Sequence, residues 1–306
     1  MSQSEVLAGL LDLLWQQYKG RVAYAAQYQR MVEERGGQLR NDHIAFRTFN
    51  CDTGEQPRGV EAIARIFLAL GYERKDNYLF ADKYLTAWHY EHKTDPRNPK
   101  IFISQLEVDQ LPPETRDAIR ETVADAPDLL SEKDRTALAS LSKGQSLSGA
   151  VTSELAANLA AFFSRPWNAP ERSTVIFVDE ESQYAAWTLL HGNSVNHFTA
   201  YINEQDVKDW PDIETTVTAM RAAGIPMKEG FEGERHSKLR QSSTKAAMED
   251  CPVIDDDGKA GKLHWSYAYY ELAERGDVPG PDGKTSRFQG FLGPQATNLF
   301  EMTKRS

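Results

Sequence analysis

The sequence predicts a mixed α/β (α+β) fold in which two βαβββ modules curl around one shared pocket, with a helical insertion between them. Three observations carry this expectation. The order strand, helix, strand, strand, strand occurs twice, over residues 41–110 and 190–275. Each copy carries a histidine at a matching place: His43 lies 28 residues ahead of Gly71 and His197 lies 27 ahead of Gly224, each histidine on its module's first strand and each glycine ending its helix. Between the copies, from Pro112 to about Pro166, the periodicity is helical.

The elements follow in order. Leu7, Leu10, Leu11, Leu14, Trp15 and Tyr18 recur at helical spacing, and the pattern runs on towards Met31 as one packing helix until Gly36-Gly37 stops it. Residues 41–49 read as a strand with Ile44, Phe46 and Thr48 on one face and His43, Ala45 and Arg47 on the other. A helix over 59–70, with Ile63, Ile66, Phe67 and Leu70 on one side, is followed by strands at 72–80, 84–92 and 100–108. Pro112-Pro113-Glu114, Ser131-Glu132-Lys133-Asp134 and residues 152–163 mark three inserted helices. The second module has a strand at 194–203, a helix at 212–223, and strands at about 225–235, 238–248 and 262–272. Gly276 to Gly290, rich in Gly and Pro, reads as a loop or lid leading to a last segment, 291–302.

Composition narrows the function. The chain has 306 residues, 40% hydrophobic and 26% charged, with 35 Lys plus Arg against 45 Asp plus Glu and a net charge of -10. That is an ordinary globular composition, and its sign argues against nucleic acid or an anionic membrane as partner. With only two cysteines, Cys51 and Cys251, and no CxxC pair, neither a disulfide framework nor a zinc knuckle is indicated, and a reducing cytoplasm fits best. No apolar run approaches the ~20 residues of a membrane span. No GxGxxG or phosphate-loop motif points to a nucleotide, and Asp255-Asp256-Asp257-Gly258 lacks calcium-loop spacing and reads as a hairpin turn.

Strand parity assembles a candidate site. Val195, His197, Thr199 and Tyr201 share a face, and so do Leu263, Trp265, Tyr267, Tyr269 and Glu271 if 262–272 is one strand. A carboxylate continuing a buried aromatic row needs a cationic partner, and a metal ion would serve. His43, His197 and Glu271, from three strands, make the 2-His-1-carboxylate face that suits non-haem Fe(II) and leaves positions open for a chelating substrate and O2. Glu107 and Glu301 are the competing carboxylates. His89 and His92 read as loop-end or surface residues, and His264 points away from Glu271. Gln241 and Ser243, in the donor-rich run Arg240 to Lys245, belong either to a solvated edge or to the pocket.

Four runs in order, Asn-Asp-His-Ile-Ala-Phe-Arg-Thr-Phe (41–49), Val-Asn-His-Phe-Thr (195–199), Leu-Arg-Gln-Ser-Ser-Thr-Lys-Ala (239–246) and Tyr-Glu-Leu-Ala-Glu-Arg-Gly (270–276), resemble the 2-oxoadipate dioxygenase/decarboxylase family. The resemblance, which runs from about residue 40 to the C-terminus, implies a vicinal-oxygen-chelate-like fold, and the chain as a whole reads as a single catalytic domain, 1–306. Its parts are an N-terminal helix (1–40), a first module (41–110), an insertion (111–167), a second module (190–275) and a closing segment (276–306). It implies an Fe(II) cofactor and conversion of 2-oxoadipate and O2 to D-2-hydroxyglutarate and CO2, a step of lysine breakdown. By the same resemblance His43, His197 and Glu271 match the metal ligands, and Arg47 matches the arginine that binds the substrate carboxylate. The closing segment supplies further substrate contacts, with Pro294 and Gln295 standing where valine and serine are expected. The alternatives are another metal-dependent enzyme of this fold, such as a lyase, isomerase or ring-cleaving dioxygenase, or a non-catalytic small-molecule-binding relative.

Overall fold

The computed structural model describes residues 3–279 and 284–292. Pro294, Gln295 and Glu301 lie outside the described residues. The chain begins with two helices where one was expected, α1 (Gln3–Arg21) and α2 (Ala23–Glu33). Val22 between them leaves the helical region at φ -116° and ψ 84°, and its β-branched side chain is fully buried. The bend lets Tyr18 and Tyr28 anchor different parts of the second module: Tyr18 Oη donates to the Tyr269 carbonyl at 2.5 Å and Tyr28 Oη to Gln205 Oε1 at 2.7 Å.

The first module follows the expected plan: β1 (Asn41–Phe49), α3 (Glu61–Ala69), β2 (Tyr72–Phe80), β3 (Leu85–His92) and β4 (Lys100–Leu106). Gly71 ends α3 with φ +96°, a left-handed turn that glycine makes without a Cβ penalty. The insertion holds α4 (Pro113–Val123), α5 (Glu132–Ser142) and α6 (Gly149–Phe162), and continues through α7 (Arg172–Glu181) and α8 (Gln183–His191), beyond the expected limit at 167. The second module opens with β5 (Val195–Tyr201) and α9 (Ile213–Ala222), and Gly224, at φ +80°, matches Gly71.

From there the second module departs from its plan. The expected strand at 225–235 is reduced to two isolated bridges, Met227 to Thr244 and Glu232 to Gln241, beside β6 (Leu239–Ser243). The expected strands at 238–248 and 262–272 are each divided. β7 (Met248–Ile254) and β8 (Ala260–Ser266) form a separate hairpin, and only β9 (Glu271–Arg275) returns to the main sheet. The cause is local pairing: the Asp255 turn closes at Lys259, so Cys251 faces Leu263 and Glu249 faces Trp265 across the hairpin. Cys251, Val253, Leu263 and Trp265 then bury against α8 in a second hydrophobic cluster. Leu263, Trp265 and Glu271 therefore do not share one strand, and the aromatic row does not extend to the carboxylate. A small pair, β10 (Asp277–Pro279) and β11 (Thr285–Arg287), lies in the expected loop.

The main sheet has the order β2-β3-β4-β1-β5-β9-β6, with β1 antiparallel to β5 at the junction of the modules. One face of the central strands, with Ile44, Phe46, Ile101, Ile103, Phe198 and Leu272, packs in the larger core with Trp15, Phe67 and Phe163. Each such fully buried side chain contributes about 1.5–3 kcal/mol. The other face carries the polar residues. Pairing aligns Lys100, His43, Thr199, Glu271 and Ser243 across β4, β1, β5, β9 and β6. The next row aligns His89, Phe102, Ala45 and His197.

Candidate metal centre

Because His197 lies two residues before Thr199 on β5, the registers bring three donor side chains together. His43 Nε2 is 3.4 Å from His197 Nε2 and 3.6 Å from Glu271 Oε1, and His197 Nε2 is 3.5 Å from Glu271 Oε2. All three residues are buried. The residue before each histidine fixes its tautomer: His43 Nδ1 donates to Asp42 Oδ1 at 2.8 Å, and His197 Nδ1 to Asn196 Oδ1 at 2.9 Å. Both Nε2 lone pairs are thereby turned toward the Glu271 carboxylate, as in metal sites where the far nitrogen is held by an acceptor. Thr199 Oγ1 is 3.1 Å from His43 Nε2, and Gln241 Nε2 donates to Glu271 Oε1.

The donor set fits a divalent cation. Three lone-pair donors converge while Glu271 Oε2, fully buried, has no hydrogen-bond partner. Such an atom is costly unless something positive satisfies it. Burial, reinforced by Glu232, pushes the Glu271 carboxyl well above the usual carboxylate range, whereas a cation would favour the charged form. Burial also lowers His43 despite Asp42, and burial together with His43 and Arg47 pushes His197 well down, so both imidazoles are neutral and able to ligate.

The triad opens on a cavity lined by Ser104, Asn196 and Gln241 on its polar side and by Phe80, Phe102, Tyr269, Phe291 and Leu292 on its apolar side. Tyr269 stacks on His197 with ring centroids 4.8 Å apart, and Phe291 meets His43 edge-on at 4.9 Å and 86°. Of the other candidate residues, Gln241 reaches the site, and Ser243, fully buried, pairs with Glu271 on the adjacent strand. Both belong to the pocket face and not to a solvated edge. Arg47 lies on the same face of β1, 1% exposed, its guanidinium 4.9 Å from the Tyr184 ring centroid and 5.0 Å from that of Trp187. Its charge acts on His197 and Tyr269, two residues that line the cavity.

Glu107 is not part of the cluster; it accepts from Asn50 Nδ2 at 2.5 Å and Gln105 Nε2 at 2.8 Å. His89 is not a surface residue. It is 2% exposed, hydrogen-bonds Tyr78 at 3.0 Å and packs against Phe291. His264 does point away, pairing with Asp250. A second set with ligand spacing, His191, Glu249 and Cys251, is already engaged: Arg21 donates to Glu249 at 2.6 and 3.0 Å, and His191 Nε2 is 3.1 Å from the Ser266 carbonyl. Three residues with no role assigned from the sequence are Asp42, Asn196 and Arg275. An Asx residue directly before each module's histidine was a readable signal for the first two.

The fold, two modules with a candidate metal centre at their junction, is glyoxalase-like. A crystal structure of a glyoxalase superfamily protein from Ralstonia eutropha JMP134 superposes with a TM-score of 0.86 at 24% identity, covering 96% of this chain and 88% of that one. The chain belongs to the 2-oxoadipate dioxygenase/decarboxylase family, whose model matches residues 6–297. It is an enzyme, and the family's chemistry makes it an oxidoreductase. The chloroplastic 2-oxoadipate dioxygenase/decarboxylase of Arabidopsis thaliana is 30% identical over 293 residues, covering 87% of this chain and 68% of the relative. The hydroxyglutarate synthase of Oryza sativa, crystallised with 2-oxoadipate, superposes with a TM-score of 0.74 at 24% identity over 96% of this chain and 91% of that one. No described helix of this chain is long and apolar enough to cross a membrane.

Proposed function

We propose that this chain is an Fe(II)-dependent dioxygenase/decarboxylase that converts 2-oxoadipate and O2 to D-2-hydroxyglutarate and CO2, as in lysine breakdown. The reaction balances without an external reductant: the 2-oxo diacid loses its first carboxyl as CO2, and both atoms of O2 enter the shortened product, one in the new carboxylate and one in the hydroxyl. The observation that carries this reading is the buried convergence of His43 Nε2, His197 Nε2 and Glu271 at the floor of a partly apolar cavity. Those three residues would hold the metal, and a ferrous ion there would supply a site at which a 2-oxo acid and O2 meet. Iron is favoured over zinc because structural zinc more often takes closed sulfur and nitrogen sets.

The chain's own residues do the positioning. Asp42 and Asn196 hold the tautomer and aim of the imidazoles, Gln241 orients the Glu271 carboxylate, and Tyr269 and Phe291 exclude water from either side. Arg47 serves as anchor for a substrate carboxylate in a charge-assisted, planar contact, held flat by the Tyr184 and Trp187 rings. Gln241, which lines the cavity, adds a polar substrate contact, with Ser243 on the same strand face; the contacts expected of Pro294 and Gln295 lie outside the described residues. Holding the decarboxylated fragment in place lets the second carbon–oxygen bond form within one complex, where orientation is worth several kcal/mol. The test is anaerobic addition of 2-oxoadipate to the Fe(II) protein. A weak visible charge-transfer band is expected, and its absence with bound iron would count against bidentate chelation.

A further inference from the structure

We propose that Arg275 is the positioning residue of this centre. One guanidinium sets the His43 imidazole through Asp42 and seats Phe291 against that imidazole through the carbonyls of residues 288 and 290. The inference rests on the metal reading above and goes beyond it by tying ligand orientation and pocket wall to one side chain.

All three guanidinium nitrogens donate hydrogen bonds. Nε donates to Asp42 Oδ2 at 2.5 Å and Nη2 to Asp42 Oδ1 at 2.8 Å, while Nη1 donates to Gly290 O at 2.8 Å and Phe288 O at 3.2 Å. Asp42 Oδ1 also accepts from His43 Nδ1 at 2.8 Å, so the carboxylate cannot turn without releasing either the arginine or the imidazole. Arg275 and Asp42 are 2% and 6% exposed, so water is poorly placed to substitute for either partner. On the other side, the two carbonyls precede Phe291, whose ring stands 5.3 Å from the guanidinium and edge-on to His43 at 4.9 Å. The strand end that carries Arg275 is itself fixed, because its N–H donates to Asn203 Oδ1 at 2.7 Å and its carbonyl accepts from Asn203 Nδ2 at 3.0 Å.

A lysine would keep the charge beside Asp42 but has one nitrogen where arginine has a fork, and it cannot serve Asp42 and both carbonyls together. Charge and geometry can therefore be separated. The experiment compares wild type, Arg275→Lys and the double variant Asp42→Asn/Arg275→Met, which removes both buried charges and guards against simple misfolding. Three readouts are taken: Co(II) affinity by chelator competition, amide exchange at Phe288 and Phe291, and KM and kcat for 2-oxoadipate. Those two amides donate to the Gly276 carbonyl and to Tyr78 Oη.

In both variants Co(II) affinity should fall about 10–100-fold, the range for loss of a partner behind a ligating histidine. Exchange at Phe288 and Phe291 should accelerate in parallel, with KM rising more than kcat falls. A folded Arg275→Lys protein with Co(II) affinity within twofold of wild type and unchanged exchange would overturn the inference and leave Arg275 as a stabilising residue only. Wild-type protein that takes up no Co(II) would overturn the metal reading, and this inference with it.

Discussion

Replacing Arg47 by lysine keeps the positive charge and removes the planar fork. The native guanidinium is 1% exposed and lies 4.9 and 5.0 Å from the Tyr184 and Trp187 ring centroids, so solvent screens it little and the rings hold its plane. If it anchors a substrate carboxylate through two charge-assisted hydrogen bonds, each is worth about 1.5–3 kcal/mol. Lysine keeps one of them and loses the other, together with the ring stacking. At 1.36 kcal/mol per tenfold, that predicts a fall in kcat/KM of about 10–200-fold. Arg47→Met should lose both contacts and fall further. Iron content should stay at the wild-type level, because Arg47 is not one of the three proposed ligands. The assay is steady-state O2 consumption with 2-oxoadipate alongside metal analysis of the same samples. A kcat/KM within twofold of wild type in Arg47→Lys would refute the anchoring role, and loss of iron would show that the residue acts through the metal site instead.

Other perturbations probe separate parts of the structure. Glu271→Gln should abolish iron retention and activity while Glu107→Gln leaves both intact, since Glu107 is engaged with Asn50 and Gln105; metal analysis with the reverse outcome would reassign the ligand. Phe291→Ala removes the ring over His43 and should raise KM several-fold with a smaller change in kcat, and unchanged kinetics would exclude it from the pocket wall. Glu249 ties β7 to α1 through Arg21: burial would raise its carboxyl, but His191 and Arg21 bring it down to about 2. Its contribution to stability is complete above the unfolded carboxyl pKa of about 4.3 and is lost as pH falls through that value toward about 2. Thermal melts of Glu249→Gln should therefore lie below wild type at pH 7 and converge with it near pH 2. A constant gap across that range would rule out the ion pair as the cause.

The first module and the pairing of histidines were legible because their signals are local. Residues 41–49 alternate cleanly, and Gly71 and Gly224 each adopt the positive φ that their places at helix ends suggested. The convergence of His43, His197 and Glu271 was also anticipated, but the route to Glu271 through an unbroken aromatic strand does not exist. Residues 265–273 are all buried, so hydrophobicity there carries no alternation to separate strand from crossing. Whether residues 263–266 pair with β6 or with their own hairpin depends on closure at Asp255 and on α8 lying beneath, and α8 is a long-range neighbour. Arg275 was invisible for the same reason: its partners Asp42 and Gly290 are distant in sequence, and an arginine followed by glycine at a strand end looks like a solvated turn. The bend at Val22 likewise exists to place Tyr18 and Tyr28, which no local pattern reports.

The proposed reaction can be followed in one experiment by supplying the Fe(II)-reconstituted protein with 2-oxoadipate and 18O2 and measuring O2 uptake, CO2 release and the product mass together. One CO2 and one 2-hydroxyglutarate are expected per O2 consumed, with both labelled oxygen atoms in the product, one in the new carboxylate and one in the hydroxyl. Absence of O2 uptake by the iron-loaded protein, or uptake without stoichiometric CO2, would contradict it.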